Sequence, residues 1–360
     1  MSTIVLTGAH GFIGNNLLEK LLKVSPEELG LNQKSSPQFS NFDSLSHKEP
    51  LSFIITDLPK SMGSFNARRF AGSARITYVD YEDLFSHLNQ LKTPPLVVIH
   101  NGACSSTTET DPDVFFKLNL NYSQKMWEYC AQKDVPLLYA SSAATYGNGE
   151  LGFSDKKEDC EKYTPLNLYG KSKLDFDIWA LKQAQTPPTW FGLRYFNVYG
   201  QFESQKGGQA SMVYHGYQQA TRTGQINLFK SNSPDYTDGN QVRDFIYIDD
   251  IMAVTLQLIR LCLERKKGKN NVNISGNGLF LNLGTGVVQS WNSLAENVFE
   301  ALNMKKNIQY IPMPQNIAGQ YQNYTCANLS SLRSLQINYE FTSLKEGIKK
   351  YVQKHLVRGQ

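Results

Sequence analysis

The stretch "TIVLTGAHGFIGNNLLEKLLK", residues 3–23, constrains this chain more than any other, because it runs from an apolar strand through three glycines into a helical segment. Gly8, Gly11 and Gly14 stand with two residues between each pair. In that context they let a pyrophosphate approach backbone N–H groups at a helix N-terminus, so a dinucleotide site is expected. The rhythm then repeats. "LSFIITD", "RITYV", "PLVVIHNG", "PLLYASS" and "WFGLRYFN" are β-rich runs separated by segments long enough for helices. This alternation predicts an α/β protein of Rossmann type, a doubly wound parallel sheet. After Asn197 the pattern loosens into "SMVYHGYQQATRT", short strands near "INLFK" and "IQYIPMP", and the amphipathic "LKEGIKKYVQKHL". A smaller C-terminal α/β substrate domain is expected there. The division reads as residues 1–196 with a returning segment, 244–290, for the dinucleotide, and 197–243 with 291–360 for the substrate. The polar, Ser/Pro/Asn-rich residues 24–50 read as a surface insertion between the first helix and the second strand.

Composition narrows the function. Of 360 residues 41% are hydrophobic and 12% aromatic, enough for a large core. The net charge of +4 is the balance of 36 basic and 32 acidic residues, and the one basic run, "ERKKGKNN", lacks the interleaved aromatics on which single-stranded nucleic acid stacks. No nucleic-acid partner is expected. Five cysteines, Cys104, Cys130, Cys160, Cys262 and Cys326, are odd in number and without C-x-x-C spacing, which argues against a disulfide framework and against a metal site. With no apolar run near membrane-span length and no leader-like start, the expectation is a cytoplasmic protein without membrane contact.

Asp57, closing "LSFIITD", is the candidate for the adenosine ribose; the alternative is a solvated strand-end carboxylate, since the insertion places it far beyond the last glycine. A carboxylate there favours NAD, whereas Lys60, Arg68 and Arg69 are close enough to offset its repulsion of a 2′-phosphate. In "HNGACSS" the small Gly102 and Ala103 let a cofactor lie against the backbone, and His100 reads as a packed strand residue. "YGKSK" sets Tyr169 and Lys173 four apart on one helical face. A lysine ammonium and a positive nicotinamide ring beside the phenol would lower its pKa and let it exchange a proton with a sugar hydroxyl. Surface decoration is the bland alternative. Ser142, ending "LLYASS", can hydrogen-bond the reacting oxygen or merely cap a turn.

These motifs resemble the extended short-chain dehydrogenase/reductases, whose glycine spacing this is. "HNGACSSTTETD", "YASSAATYG", "PLNLYGKSK", "RYFNVYG", "QKGGQAS", "VRDFIYIDD", "NLGTG" and "GQYQNYT" together resemble the ADP-L-glycero-D-manno-heptose 6-epimerases. The resemblance implies oxidation of carbon 6 of an ADP-heptose by a bound nicotinamide cofactor, NADP with NAD as the alternative, and re-reduction on the other face. It implies Tyr169 and Lys206 as the two acid/base groups, with Ser142 and Lys173 beside the first. It further implies cofactor contacts from Gly8, Gly11, Phe12, Ile13, Gly14, Asp57, Leu58, Asn101, Gly102, Ala103, Cys104, Ser105, Asn119, Lys173 and Val198. Substrate contacts carry over to Ser105, Asn197, Lys206, Gly208, His215, Phe229, Arg243 and Tyr321. Of these, Arg243 can clamp a diphosphate bidentately. Gly208 stands where the family usually has serine. A homo-oligomer, often a pentamer, and a role in lipopolysaccharide heptose precursor synthesis are implied with the rest.

Three other readings bear comparison. A 4,6-dehydratase needs acidic residues just after the catalytic hydroxyl, and this chain has Ala143 and Ala144. A UDP-sugar 4-epimerase would share Ser142, Tyr169 and Lys173 but has no use for Lys206. A non-catalytic dinucleotide scaffold or sensor would have no chemical need for Ser142, Tyr169 and Lys173 all in register. The run Ser105–Thr108 can meet sugar hydroxyls or, with Thr108 and Asp111 spaced as a capping box, start the next helix.

Overall fold

The computed structural model describes residues 2–31, 50–61, 63–269, 272, 274–319 and 321–358. Seven parallel strands form the main sheet: β1 (Thr3–Thr7), β2 (Ser52–Thr56), β3 (Ile76–Tyr78), β4 (Val97–His100), β5 (Leu137–Ser142), β6 (Trp190–Tyr195) and a late strand, Gly278–Leu283. Numbered in chain order, the late strand is β10. Between β6 and β10 come β7 (Asn197–Tyr199), β8 (Ile226–Phe229) and β9 (Val242–Tyr247); β11 (Val288–Ser290) and β12 (Ile308–Ile311) follow. The sheet order is β10-β6-β5-β4-β1-β2-β3, with the chain reversing its direction of travel between β1 and β4. Ligands of such sheets bind beyond the carboxyl ends of the strands at that switch point.

Alternation along each strand assigns its residues to two faces. Ile4, Leu6, Val97, Ile99 and Leu138 point into one core with Leu17, Leu18 and Leu21 of the Phe12–Lys23 helix and Ile251, Met252 and Leu258 of the Ile248–Lys266 helix. Val5, Val98, Leu137 and Tyr139 point into the other, with Met126 and Trp127 of the Tyr122–Gln132 helix and Leu174 and Phe176 of the Leu168–Leu181 helix. Covered on both sides, the strands must be apolar throughout, which is how they read.

Two small sheets complete the fold, β11-β9-β7 and β12-β8. Strand β9 spans the expected boundary at 243/244 and pairs with β7 and β11, not with the large sheet. The reading of residues 24–50 as a surface insertion needs correction at its start. Leu29 is buried in the first core, and Lys267 donates to the carbonyls of Gly30 and Leu31, so residues 24–31 pack on the end of the Ile248–Lys266 helix. Residues 32–49 of that stretch lie outside the described residues. The helix after the Ser105–Thr108 run starts later than a Thr108 cap would have it. Asp111 caps it by accepting from Asp113 N, and Pro112 fixes the first helical residue.

Candidate active site

At the end of β1 the backbone of Gly8 takes a left-handed φ of +67°, and a Cβ there would lie 2.7 Å from Gly102 N. A Cβ on Gly14 would lie 2.0 Å from Gly8 O. The two glycines therefore close the β1 turn tightly against the β4 loop and the first helix. Gly11 N donates to Gly8 O, and the N–H groups of Phe12 and Ile13, in the first turn of that helix, have no carbonyl ahead of them. Asp57 follows β2. Its Oδ2 accepts from His10 N at 2.8 Å and its Oδ1 from Leu58 N at 2.8 Å. Leu58 and Pro59, with Asp80, Tyr81, Glu82 and Asp83, line an adjoining cleft of about 450 Å³. Of the cations expected near Asp57, Arg68 is exposed, whereas Arg69 is held by Asn15 and by Glu19 at 2.6 Å and lies 3.5 Å over the Phe202 ring. The side chain of Lys60 lies outside the described part.

Beyond β4, His100 is sandwiched by hydrogen bonds to Thr7 Oγ1 and Ser123 Oγ, and burial pushes its pKa down to about 3. It is a neutral strand residue. The amide nitrogen of Asn101 is buried and has no partner among the described residues, while its oxygen accepts from Tyr195 OH at 3.4 Å. Gly102 and Ala103 are half-buried and Ser105 is exposed. Asn119 holds the loop from behind. It accepts from Cys104 N at 2.7 Å and donates to Cys104 O and Ser172 Oγ, leaving no N–H free for a ligand.

Asn167 caps the Leu168–Leu181 helix through Gly170 N, which sets Tyr169 and Lys173 on one face at the ends of β4 and β5. Ser142 hydrogen-bonds the Tyr169 phenol and also accepts from Ala144 N at 3.1 Å, so it caps the turn after β5 while it holds the phenol. Lys173 is not among the groups that act on the Tyr169 phenol in the free chain. Burial raises the phenol, opposed by the Ser142 hydrogen bond. Lys173 is 4% exposed, has no hydrogen-bond partner among the described residues, and is lowered by burial to about 8. One turn on, Asp177 anchors the helix. Its carboxylate accepts from Tyr139 OH, Ser141 Oγ and Arg194 Nε and Nη2, with both charged side chains fully buried. Sequence reasoning missed Asp177 and Arg194, although Asp177 falls four residues after Lys173 on the same helical row.

The segment carrying Lys206 is gripped from the first βαβ unit. Asn16 donates to Gln201 O, Asn66 to Phe202 O, and Gln205 to His10 O. Lys206 is half-buried, 5.4 Å over the Phe12 ring, and burial lowers its pKa. A lysine directed into open water would show neither. Gly208 is exposed with nothing within 4 Å of a Cβ, so the departure from the family's serine is not sterically imposed.

A third group converges on Arg243. Its guanidinium is 4.9 Å from the Tyr321 ring and 5.6 Å from Trp291, Phe229 meets Tyr321 edge-on, and only 5% of Arg243 is exposed. Among the described residues no carboxylate pairs with it, and burial lowers its pKa. Such a cation is an open valence for an anion. Gln322, next to Tyr321, donates to Gly147 O just past Ser142, which joins this cluster to the end of β5. Asn197 and Val198 are half-buried on β7, and from the Met212–Thr223 helix His215 presents a buried Nε2 with no partner among the described residues.

The free Asn101 amide, the unpartnered Lys173 and the closed glycine turn fit a dinucleotide laid across β1 and β4. A nucleotide-binding crevice with a Ser-Tyr-Lys constellation on its wall is the site of an NAD-dependent epimerase or dehydratase. Residues 4–275 match the model of the NAD dependent epimerase/dehydratase family. The chain is 42% identical over 269 residues to an ADP-L-glycero-D-manno-heptose-6-epimerase of Fusobacterium nucleatum, covering 72% of this chain and 77% of that protein. It is 36% identical to one of Nitratidesulfovibrio vulgaris, covering 98% and 97%. The crystal structure of the Helicobacter pylori protein of that name superposes with a TM-score of 0.73 at 24% identity, covering 98% and 96%, a likeness of fold. The chain belongs to the NAD-dependent epimerase/dehydratase family and, within it, to the ADP-L-glycero-D-manno-heptose-6-epimerases.

Proposed function

We propose that this chain interconverts the carbon-6 epimers of an ADP-heptose, with Tyr169 and Lys206 as its two proton-exchanging groups. The observation that supports the reading is the half-buried Lys206 amine 5.4 Å over the ring of Phe12, the first residue of the helix that follows the glycine turn. One acid/base on one side of a carbon is poorly placed to serve both of its configurations. A second from the other side answers that need.

A nicotinamide ring, when bound, supplies reversible acceptance of hydride. Phe12 and Ile13 N–H and the glycine turn would hold the pyrophosphate, Asp57 the adenosine ribose, and Lys173 the ribose next to the ring. Ser142 holds the phenol and shares the reacting oxygen with it. The group in its basic form takes the proton of the carbon-6 hydroxyl, and the group in its acidic form returns one to the ketone from the opposite side. Arg243, flanked by Tyr321 and Phe229, would bind the diphosphate, with Asn197 and His215 as further polar contacts.

NADP is carried over from the resemblance. With a carboxylic side chain at Asp57 and Arg69 engaged by Glu19, Arg68 is the guanidinium of the pair left to meet a 2′-phosphate. Arg68→Ala should weaken NADP about tenfold or more and leave NAD unchanged in a fluorescence titration. Cytoplasmic location, supply of lipopolysaccharide heptose and pentameric assembly follow the same resemblance, and light scattering on the purified protein tests the last. No helix among the described residues is long and apolar enough to cross a membrane.

The test of the reaction is incubation with each ADP-heptose epimer and, separately, with UDP-glucose and UDP-galactose, followed by chromatography. Equilibration of the heptose epimers alone supports the reading. Equilibration of the UDP-hexoses alone would replace it with a 4-epimerase.

A further inference from the structure

Glu203 lies three residues before Lys206 and is fully buried. Its Oε1 accepts from Gly200 N at 3.2 Å and Ser211 Oγ at 2.8 Å, and its Oε2 from Ser211 N at 2.6 Å. These contacts draw Gly200 and Ser211 together and close the neck of the loop that presents Lys206. Within the loop, Lys206 N donates to Glu203 O at 2.9 Å and Ala210 N to Gly207 O at 3.1 Å.

The donors to this carboxylate are all neutral. A neck of this kind needs acceptors, not a charge, and an ionised carboxylate taken out of water without a countercharge is strongly disfavoured. Burial raises the Glu203 carboxyl, opposed by its Ser211 hydrogen bonds and by the charge of Lys206, and among the described residues Glu203 is the one charged group acting on Lys206. Among the described residues no second charge is found acting on Lys206. From the first helix Lys206 meets the Phe12 ring, and from β7 Glu203 is felt by the Tyr199 phenol. Burial and Glu203 therefore pull the Lys206 amine in opposite directions, the first toward its neutral form and the second toward the ammonium.

We propose that Glu203 is the positioning residue of the second acid/base: it closes the loop that aims Lys206 over the glycine turn, and its charge sets how much of Lys206 is ammonium at working pH. The inference rests on the reading of Lys206 as an acid/base group. Without Glu203's charge, buried Lys206 would release its proton at lower pH, and too little of the pair would stand in the mixed state, one partner protonated and the other not, that epimerisation needs.

The experiment is the pH profile of kcat for epimerisation in wild type, Lys206→Met, Glu203→Gln, Glu203→Asp and Ser211→Ala. The limb that disappears in Lys206→Met identifies the Lys206 titration. In Glu203→Gln that limb should move to lower pH, with kcat falling more than KM changes. Ser211→Ala, which keeps the charge and removes one neutral donor, should leave the limb in place. If Glu203→Gln does not fold, Glu203→Asp reads the same quantity, because drawing the carboxylate back should move the limb part of the way in the same direction. An unmoved limb in the folded Gln or Asp variant overturns the role of Glu203. A Lys206→Met enzyme with wild-type rate and both limbs overturns instead the acid/base reading of Lys206, which separates the two failures.

Discussion

Arg243 and Asp244 are neighbours on β9, both buried, and they should respond to substitution in opposite ways. Asp244 is saturated. Its oxygens accept from Thr285 N at 2.7 Å, Thr285 Oγ1 at 2.8 Å, Gly286 N at 2.8 Å and Ala327 N at 2.9 Å. Arg243 donates to Val242 O at 3.0 Å and otherwise rests on Tyr321 and Trp291. In Arg243→Met two cation–π contacts of about 0.5–1 kcal/mol each are lost. With them goes a charge-assisted hydrogen bond of about 1.5–3 kcal/mol. Against that stands the relief of an unpaired buried ion, which is several kcal/mol. The terms nearly cancel, so stability should change by less than about 2 kcal/mol. Substrate binding should not escape. Losing a bidentate contact to a diphosphate is about 1.5–3 kcal/mol, or about 10–150-fold in KM. Asp244→Ala, by contrast, strands the N–H groups of Thr285, Gly286 and Ala327, the last of them buried, and should lower stability by about 3–5 kcal/mol. Urea unfolding and epimer chromatography over a substrate range read both quantities. An Arg243→Met protein that unfolds at much lower urea yet keeps its KM would show that the arginine is a structural group, and the anion-site argument would fail.

Lys206→Met and Tyr169→Phe should each lower kcat by about 10²–10⁴ in the same chromatographic assay, with the protein's melting temperature little changed. Arg194→Met alone should cost about 3–5 kcal/mol in urea unfolding, because it leaves the buried Asp177 carboxylate uncompensated. Gly208→Ser should change stability by less than about 0.5 kcal/mol, since the Cβ has open space, whereas Gly14→Ala should yield little folded protein in a solubility assay. The pKa of Lys173 is lowered from 10.5 to about 8 in the folded chain, so between those values the unfolded chain holds more protons. Stability of the cofactor-free protein should therefore rise with pH across that window, and Lys173→Met should remove the rise in pH-dependent unfolding curves.

The sheet was legible because strands covered on both faces have to be apolar along their whole length, as "TIVLT" and "PLVVI" are. The glycine turn and the Tyr169–Lys173 row were legible for the same local reason, since their meaning lies within one turn of helix. What escaped was set by distance along the chain. Asn16 meets Gln201 across 185 residues and Asn66 meets Phe202 across 136, and no local pattern announces either. Glu203 finds its partner Ser211 only because the loop doubles back, and Arg243 meets Tyr321 only because the 321–324 segment returns beside β9. The expected Thr108 cap yielded to Asp111 because Pro112 is suited to the first helical position. Residues 24–31 read as solvated from their polarity, and the single Leu29 was enough to tie them down.

His10 has its N–H on Asp57 and its C=O on the side chains of Asn66 and Gln205. Those two groups belong to successive peptide planes hinged at the His10 Cα, and with both planes pinned a tilt of one strains the other. Whatever leans on the carboxylate at one side is felt, across that hinge, one residue away from the amine at 206. Alanine at 57 and alanine at 205 should therefore fail to add in a double-mutant cycle, though neither side chain touches the other.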